Sequence, residues 1–204
     1  MQELNKLDAL KEIIDKGQYI VALCGSGMIE ECGIYPLKDQ ECAYRIEEKY
    51  GRSPEYIYTD AFFNTRTEMF YDFYKNEILA DLEPSASTYA LAAMERAGKL
   101  KCIISSNIYE LSERSGCKNV IDLHGSIYHN HCQKCGKTYS VDYISHAKKL
   151  PYCEVCGGVI RPDVSFFGEM LDSEKLSRTL EEIEKCDVLL LLGTSLSSEV
   201  FHNY

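Results

Sequence analysis

Four cysteines stand in two matched pairs, Cys132-Gln-Lys-Cys135 and Cys153-Glu-Val-Cys156, with seventeen residues between the pairs. Thiols three positions apart can turn toward one point from a tight knuckle, and two knuckles supply four sulfurs in a tetrahedron. Zn²⁺ accepts that geometry without d-electron preference, so the spacing predicts one structural zinc with every ligand from protein. Gly136 follows the first pair and Gly157-Gly158 the second, where a knuckle needs backbone that tolerates positive φ. Two redox dithiols or two disulfides are the competing reading, although redox pairs rarely come doubled at zinc spacing.

A second set of residues suits a bound phosphate and a proton transfer. Cys24-Gly25-Ser26-Gly27, Ser105-Ser106-Asn107, Leu123-His124-Gly125-Ser126 and Gly193-Thr194-Ser195 each close an apolar run with small or polar side chains. Gly25 and Gly27 would let backbone approach a pyrophosphate closely, with a helix N-terminus facing its charge. A tight turn with no ligand explains the same glycines. His124 sits where a general base could reach a ribose hydroxyl; a hydrogen-bonded structural histidine fits the position as well. His129, His131 and His146 read as surface residues, with His131 beside Cys132 a spare ligand.

The elements that must position these residues follow from the hydrophobic pattern. Leu4, Leu7, Leu10, Ile13 and Ile14 mark one face of a first helix that Gly17 closes. Residues 19–24, 101–105, 120–123 and 187–192 are short continuous apolar runs, the pattern of strands buried on both faces. Helices are expected over 39–51, over the aromatic stretch 60–80, after Pro84 up to Gly98, and from Ser173, read as the cap, to Lys185. Strands alternating with helices predict an α/β fold with a Rossmann-like, doubly wound parallel sheet, whose ligands bind beyond the carboxyl ends of the strands. Two stretches interrupt the alternation and predict a smaller lobe. The expected division is a Rossmann-like lobe from 1–34, 78–126 and 160–204, a helical insertion over 35–77 and a zinc-ribbon insertion over 127–159.

Composition narrows the partners. The chain has 204 residues, enough for one sizeable core plus insertions, and a formal charge of −10, which argues against a nucleic-acid backbone. No run approaches a membrane span and no signal peptide opens the chain. Ten cysteines without a secretion signal point to a reducing cytoplasm; six of them lie outside the paired set and read mostly as small buried hydrophobes.

Taken together these segments resemble the sirtuins, NAD⁺-dependent protein lysine deacylases, over about residues 17–200. The residues that carry the resemblance are Gly25-Ser26-Gly27, Asn107-Ile108, Leu123-His124-Gly125-Ser126, both cysteine pairs, Arg161-Pro162-Asp163-Val164-Ser165-Phe166-Phe167-Gly168-Glu169, and Gly193-Thr194-Ser195-Leu196, in that order. The resemblance implies NAD⁺ between the Rossmann and zinc lobes, with Gly25, Ser26, Gly27 and Ser195 around the phosphates and Gly193, Thr194 and Lys38 also cofactor-binding. It assigns Asn107 to a ribose and to catalysis, with Ser106 and Ile108 cofactor-binding beside it. It implies an acylated protein lysine whose peptide adds as a strand against Val164, Ser165, Phe166, Phe167, Gly168 and Glu169. His124 would take a proton from the ribose hydroxyls, and the products would be lysine, nicotinamide and O-acyl-ADP-ribose. Mono-ADP-ribosyl transfer or NAD⁺ hydrolysis, and a non-catalytic NAD⁺- or ADP-ribose-binding zinc module, are the competing functions.

Four positions depart from the family pattern. Lys38 stands where an arginine contacts the cofactor, Ile29 replaces a serine of the phosphate loop, Ser106 a glutamine, and Tyr109 the aspartate that holds the nicotinamide carboxamide. Loss of that charge-assisted hydrogen bond costs about 1.5–3 kcal/mol in whatever step uses it. The chain also ends soon after Gly193-Thr194-Ser195, which implies weakened NAD⁺ affinity. The Tyr-x-x-Arg that binds acidic acyl groups is here Tyr71-Asp72-Phe73-Tyr74, so an uncharged acyl group such as acetyl is the expected substrate.

Overall fold

The computed structural model describes residues 2–195; Leu196 of the last motif and the Ser197–Tyr204 tail lie outside the described residues. In chain order the elements are α1 (Gln2–Lys16), β1 (Ile20–Cys24), a 3₁₀ segment (Ser26–Cys32), α2 (Gln40–Tyr50), α3 (Pro54–Ile57), α4 (Asp60–Thr65), α5 (Thr67–Phe73) and a π turn (Tyr74–Ile78). There follow α6 (Ala86–Arg96), β2 (Leu100–Ser105), α7 (Leu111–Arg114), β3 (Val120–Asp122), β4 (Gly125–Cys132), β5 (Thr138–Tyr139), α8 (Val141–His146), β6 (Ile160–Val164), α9 (Ser173–Lys185) and β7 (Val188–Leu192). They form two compact units. One is drawn from the N-terminal stretch through Cys32, from Glu83–Leu123 and from Asp172 onward; the other comprises Gly33–Leu82 and His124–Leu171.

The first unit is built on a parallel sheet of order β3-β2-β1-β7. Alternate residues of β1 enter two different cores. Ile20, Ala22 and Cys24 pack with Leu91 and Ala92 of α6 and with Ile14 of α1, while Val21 and Leu23 pack with Cys102, Ile104 and Ile121 and with Ile183 of α9. Helices therefore cover both faces, which is why the strand reads as unbroken apolar sequence rather than as an alternation. Among the described residues β7 is an outer strand of this sheet, and it is half-buried along its length. The first helix forms as expected, and the cap of α9 needs correction. Leu7, Leu10 and Ile13 of α1 face solvent, while Ile14 packs against the core. The cap of α9 is Asp172 and not Ser173, because its carboxylate reaches the amides of Glu174 and Lys175 at 2.9 and 3.0 Å.

The second unit joins α2–α5 to an antiparallel sheet of order β5-β4-β6. β6, carrying Arg161-Pro162-Asp163-Val164, thus pairs with β4 in this unit's sheet, with Gly125 opposite Val164. The stretch expected to be one helix over 60–80 is broken. Arg66 leaves helical backbone at φ −135°, ψ 43° between α4 and α5, and the chain then loosens into the π turn. The break lets both short helices turn aromatic faces inward. Phe63, Phe70, Tyr71, Phe73 and Tyr74 are each at most 1% exposed; the rings of Phe63, Phe70, Tyr71 and Tyr74 meet one another at 5.0–6.1 Å, and Phe73 meets Tyr50 at 5.6 Å. Burying one such ring stabilises by about 1.5–3 kcal/mol, so this cluster is the core of the unit.

Candidate active site and metal centre

The four cysteines converge. Cys132, Cys135, Cys153 and Cys156 place their sulfurs within 4.8 Å of one another, with Cys132–Cys156 at 3.4 Å and Cys135–Cys153 at 3.6 Å. A tetrahedron with metal–sulfur bonds of about 2.3 Å has edges of about 3.8 Å, so the cage is of the size a single ion needs. Each knuckle closes as its glycine requires: the Gly136 amide donates to the Cys132 carbonyl and the Gly157 amide to the Cys153 carbonyl, both at 2.9 Å and both at positive φ. Gly158 is glycine for room, since a Cβ there would lie 2.8 Å from the Cys132 sulfur. The Lys134 amide points at the Cys132 sulfur at 3.4 Å. Tyr139, at the end of β5, donates its hydroxyl to the Cys153 sulfur at 3.1 Å. That bond is the main reason the Cys153 thiol is pulled down to about 6. His131, the spare ligand candidate, instead turns its Nδ1 to the Asp163 carboxylate.

At the carboxyl ends of β1 and β7, two loops of the first unit interlock. The Gly25 amide donates to the Leu192 carbonyl at 2.8 Å and the Gly27 amide to the Gly193 carbonyl at 2.9 Å. A Cβ on Gly25 would stand 2.4 Å from the Gly193 oxygen, and one on Gly193 2.5 Å from the Met28 nitrogen. Glycine is required here so that backbone can lie on backbone, and the two glycine amides are already engaged. Ser26, between them, is exposed. Next to this, the Ser106 amide and hydroxyl both reach the Cys24 carbonyl, at 2.9 and 3.0 Å. The Asn107 side chain is 6% exposed and is held at both ends, Nδ2 donating to the Ser105 hydroxyl at 2.9 Å and Oδ1 accepting the Tyr109 amide at 3.0 Å. Ile108 is half-buried and Tyr109 buried. Glu110, next in line, is the one non-glycine residue at positive φ among those described, at 49°. Such backbone costs on the order of 1 kcal/mol and clusters at functional sites.

His124 is half-buried, and its carbonyl accepts the Ser165 amide at 2.9 Å. Gly125 follows at φ +75°, and a Cβ on it would fall 2.0 Å from the Asp163 oxygen. The glycine lets β4 start hard against β6 and so fixes the backbone that carries the histidine. Val164 ends β6, and Ser165–Glu169 continue beyond it as a turn with Gly168 at φ +82°. Lys38 is exposed and stands 5.7 Å from the centre of the Phe167 ring.

The sequence model of the Sir2 family matches residues 25–200. The chain belongs to the Sir2 family. It is 36% identical over 195 residues to an NAD-dependent protein deacetylase of Clostridium acetobutylicum, covering 95% of this chain and 80% of the relative. It is 34% identical to NAD-dependent protein deacylase 1 of Archaeoglobus fulgidus, covering 92% and 76%. Among solved structures, a Sir2 homologue in complex with ADP-ribose superposes with a TM-score of 0.81 at 33% identity, over 94% of this chain and 76% of that one. A Sir2 protein bound to a propionylated peptide superposes with the same TM-score, 0.81, at 28% identity, over 95% and 78%.

In this Sir2 chain several contributors escaped sequence reading. Tyr139 carries no spacing signal, since its bond to Cys153 spans fourteen residues. Asp60 pairs with Arg161 at 3.1 Å across a separation of 101 residues, and nothing in the local sequence announces it. The Tyr71-x-x-Tyr74 pair is buried: the Tyr71 hydroxyl donates to the Ile160 carbonyl, and the Tyr74 ring stacks on Phe70 and Tyr58. Lys75, beside them, donates to the Ala147 and Lys149 carbonyls.

Proposed function

We propose that this chain is an NAD⁺-dependent protein lysine deacylase that takes an uncharged acyl group, acetyl first, from an acylated protein lysine. What supports the reading is the doubly anchored Asn107 in the first unit and, separately, His124 on its glycine-set backbone in the second, in a family whose relatives named above are NAD-dependent deacylases. NAD⁺ is the co-substrate, leaving as nicotinamide and O-acyl-ADP-ribose. Gly25, Ser26, Gly27, Gly193, Thr194 and Ser195 would surround its phosphates, chiefly through the exposed Ser26, because both Gly25 and Gly27 amides are engaged. Asn107, with Ser106 and Ile108 beside it, would hold the ribose, its Nδ2 keeping a second hydrogen to donate. His124 would accept the ribose proton, and Lys38 would supply positive charge to the cofactor. Val164, Ser165, Phe166, Phe167, Gly168 and Glu169 would receive the substrate peptide as an added strand.

The acyl preference follows from burial. Tyr71 and Tyr74 are packed in the aromatic core and Lys75 is engaged with carbonyls, so none offers a partner to an acyl carboxylate. We assign the four-cysteine cage one structural Zn²⁺, whose size and thiolate set it fits; with all four positions from protein, the ion would hold the ribbon together and not react. All ten cysteines are free thiols, and no helix among the described residues is long and apolar enough to cross a membrane, which suits a cytoplasmic location.

The test is mass spectrometry of products from purified protein, NAD⁺ and an acetyl-lysine peptide, with a control lacking peptide. Peptide-dependent nicotinamide with matching O-acetyl-ADP-ribose is expected. Nicotinamide in both tubes would favour hydrolysis or ADP-ribosyl transfer, and neither product would make the chain a binding module.

A further inference from the structure

The turn that follows β6 is held by side chains more than by sheet pairing. The β4–β6 ladder ends at Val164, and beyond it the strand pairing among the described residues is one isolated bridge, Thr59 to Phe167. Arg161, inside β6, spans the gap. One arm of its guanidinium reaches Asp60 Oδ1 at 3.1 Å, at the start of α4, and the other reaches Glu169 Oε1 at 2.5 Å. The same group lies 4.4 Å from the centre of the Phe166 ring. Glu169 returns the contact: its Oε2 accepts the Phe166 amide at 2.7 Å, while its own amide donates to the Phe166 carbonyl at 3.1 Å. A closed circuit therefore runs from guanidinium to carboxylate to Phe166 backbone to Phe166 ring and back to guanidinium.

The circuit decides which backbone groups of the segment stay open. The Ser165 amide goes to the His124 carbonyl, the Phe166 amide to Glu169 and the Phe167 amide to the Tyr58 carbonyl. Three successive donors are thus turned into the protein. Were Glu169 to let go, the Phe166 amide just beyond β6 would lose its acceptor and the turn at Gly168 would lose its carboxylate anchor.

We propose that Asp60, Arg161 and Glu169 form a positioning clamp that sets the shape of the substrate-receiving segment Ser165–Glu169. The three residues act through Phe166 backbone and not by touching the reacting atoms. The proposal rests on the deacylase reading for the identity of the ligand. A fork is needed because two carboxylates must be held at once in one plane, which arginine does and lysine does not.

The test reads peptide affinity separately from turnover. A fluorescent acetyl-lysine peptide is titrated by anisotropy into the full chain and into Glu169→Gln, Glu169→Ala, Asp60→Asn, Arg161→Lys and Arg161→Met, each first checked for melting temperature and zinc content. Loss of a charge-assisted bond that organises the site predicts Kd rising about tenfold for Glu169→Gln, which keeps an acceptor for Phe166, and up to about a hundredfold for Glu169→Ala and Arg161→Met. Arg161→Lys should fall between wild type and Arg161→Met. In steady-state assays the peptide KM should rise in the same order while the NAD⁺ KM stays within about twofold. Folded variants with unchanged peptide Kd would overturn the clamp, as would losses that track melting temperature across all parameters alike. A wild type that binds peptide without turning over would defeat the deacylase reading and still leave the clamp judged by Kd; a wild type that binds no acyl peptide would overturn the clamp too.

Discussion

The Tyr139 hydroxyl donates to the Cys153 sulfur at 3.1 Å and at the same time accepts the Glu154 amide at 3.0 Å. One side chain thus stabilises the thiolate and fixes the knuckle that presents it. Partners of this kind typically change metal affinity by about 10–100-fold. Tyr139→Phe should therefore keep its zinc at low chelator concentration and lose it at about one-tenth to one-hundredth of the chelator activity that strips the wild type, as read by a chromophoric zinc indicator.

Removing a ligand is a harsher change. In Cys135→Ser the cage keeps three sulfurs, and a structural site of this kind draws folding free energy from its metal. Elemental analysis should find about one zinc per wild-type chain and almost none in the variant, with loss of the cooperative melting of the β5-β4-β6 sheet. A stable variant with unchanged metal content would show the assignment wrong.

What was legible in the sequence depended on how each element is buried. β1, β2 and β7 announced themselves because helices cover both faces of the parallel sheet, leaving Ile20–Cys24 and Val188–Leu192 apolar throughout. The cysteine cage was legible because its two knuckles are local. β4, with the sequence GSIYHNHC, gave no strand pattern: it carries a register shift between Ser126 and Asn130, so its buried positions do not alternate. The helix over 60–80 was misjudged because aromatic content reads as one continuous face, whereas the chain breaks at Arg66 to bury rings from two directions. The α1 stripe was judged by spacing, and spacing does not say what an apolar face will meet. Asp60 and Arg161 find each other through tertiary structure alone.

Gly125 and Gly51 separate two reasons for glycine. Both have positive φ, +75° and +69°, but a Cβ on Gly51 meets nothing within 4 Å while one on Gly125 lies 2.0 Å from the Asp163 oxygen. Gly51→Ala should cost only the left-handed backbone penalty, about 1–2 kcal/mol. Gly125→Ala must also push β4 off β6, and it should cost at least about 2 kcal/mol more in denaturant unfolding and depress turnover by displacing His124. Equal losses at the two sites would show that β4 tolerates a shift away from β6.

His124→Ala separates chemistry from architecture. Only the carbonyl of His124 is engaged in the Ser165 contact, so the substitution leaves that hydrogen bond in place. Loss of a general base lowers the rate by about 10²–10⁴-fold. The variant should bind the acetyl-lysine peptide and form almost no O-acetyl-ADP-ribose. Retained turnover would remove His124 from the chemistry.

Asp122, at the end of β3, carries a prediction for pH. Burial is the largest influence on its carboxyl, followed by the hydrogen bond that the protonated Asp122 donates to Glu113 and the charges of Glu113 and Glu110; Lys175 pulls the other way, and the net result lifts Asp122 to about 8. The buried oxygens Asp122 Oδ1 and Glu113 Oε2 have no hydrogen-bond partner among the described residues, which fits a pair that cannot afford two charges. Because the folded value exceeds the ordinary 3.8, the native state holds a proton that the unfolded chain gives up. Its contribution to stability is complete below about pH 4 and is lost as pH rises toward 8, with a slope of up to about 1.4 kcal/mol per pH unit. Urea unfolding of wild type at intervals across that range should show stability falling with pH relative to Asp122→Asn, whose amide cannot ionise and whose curve should be flatter. Parallel curves for the two proteins would mean that Asp122 is ionised in the native state throughout.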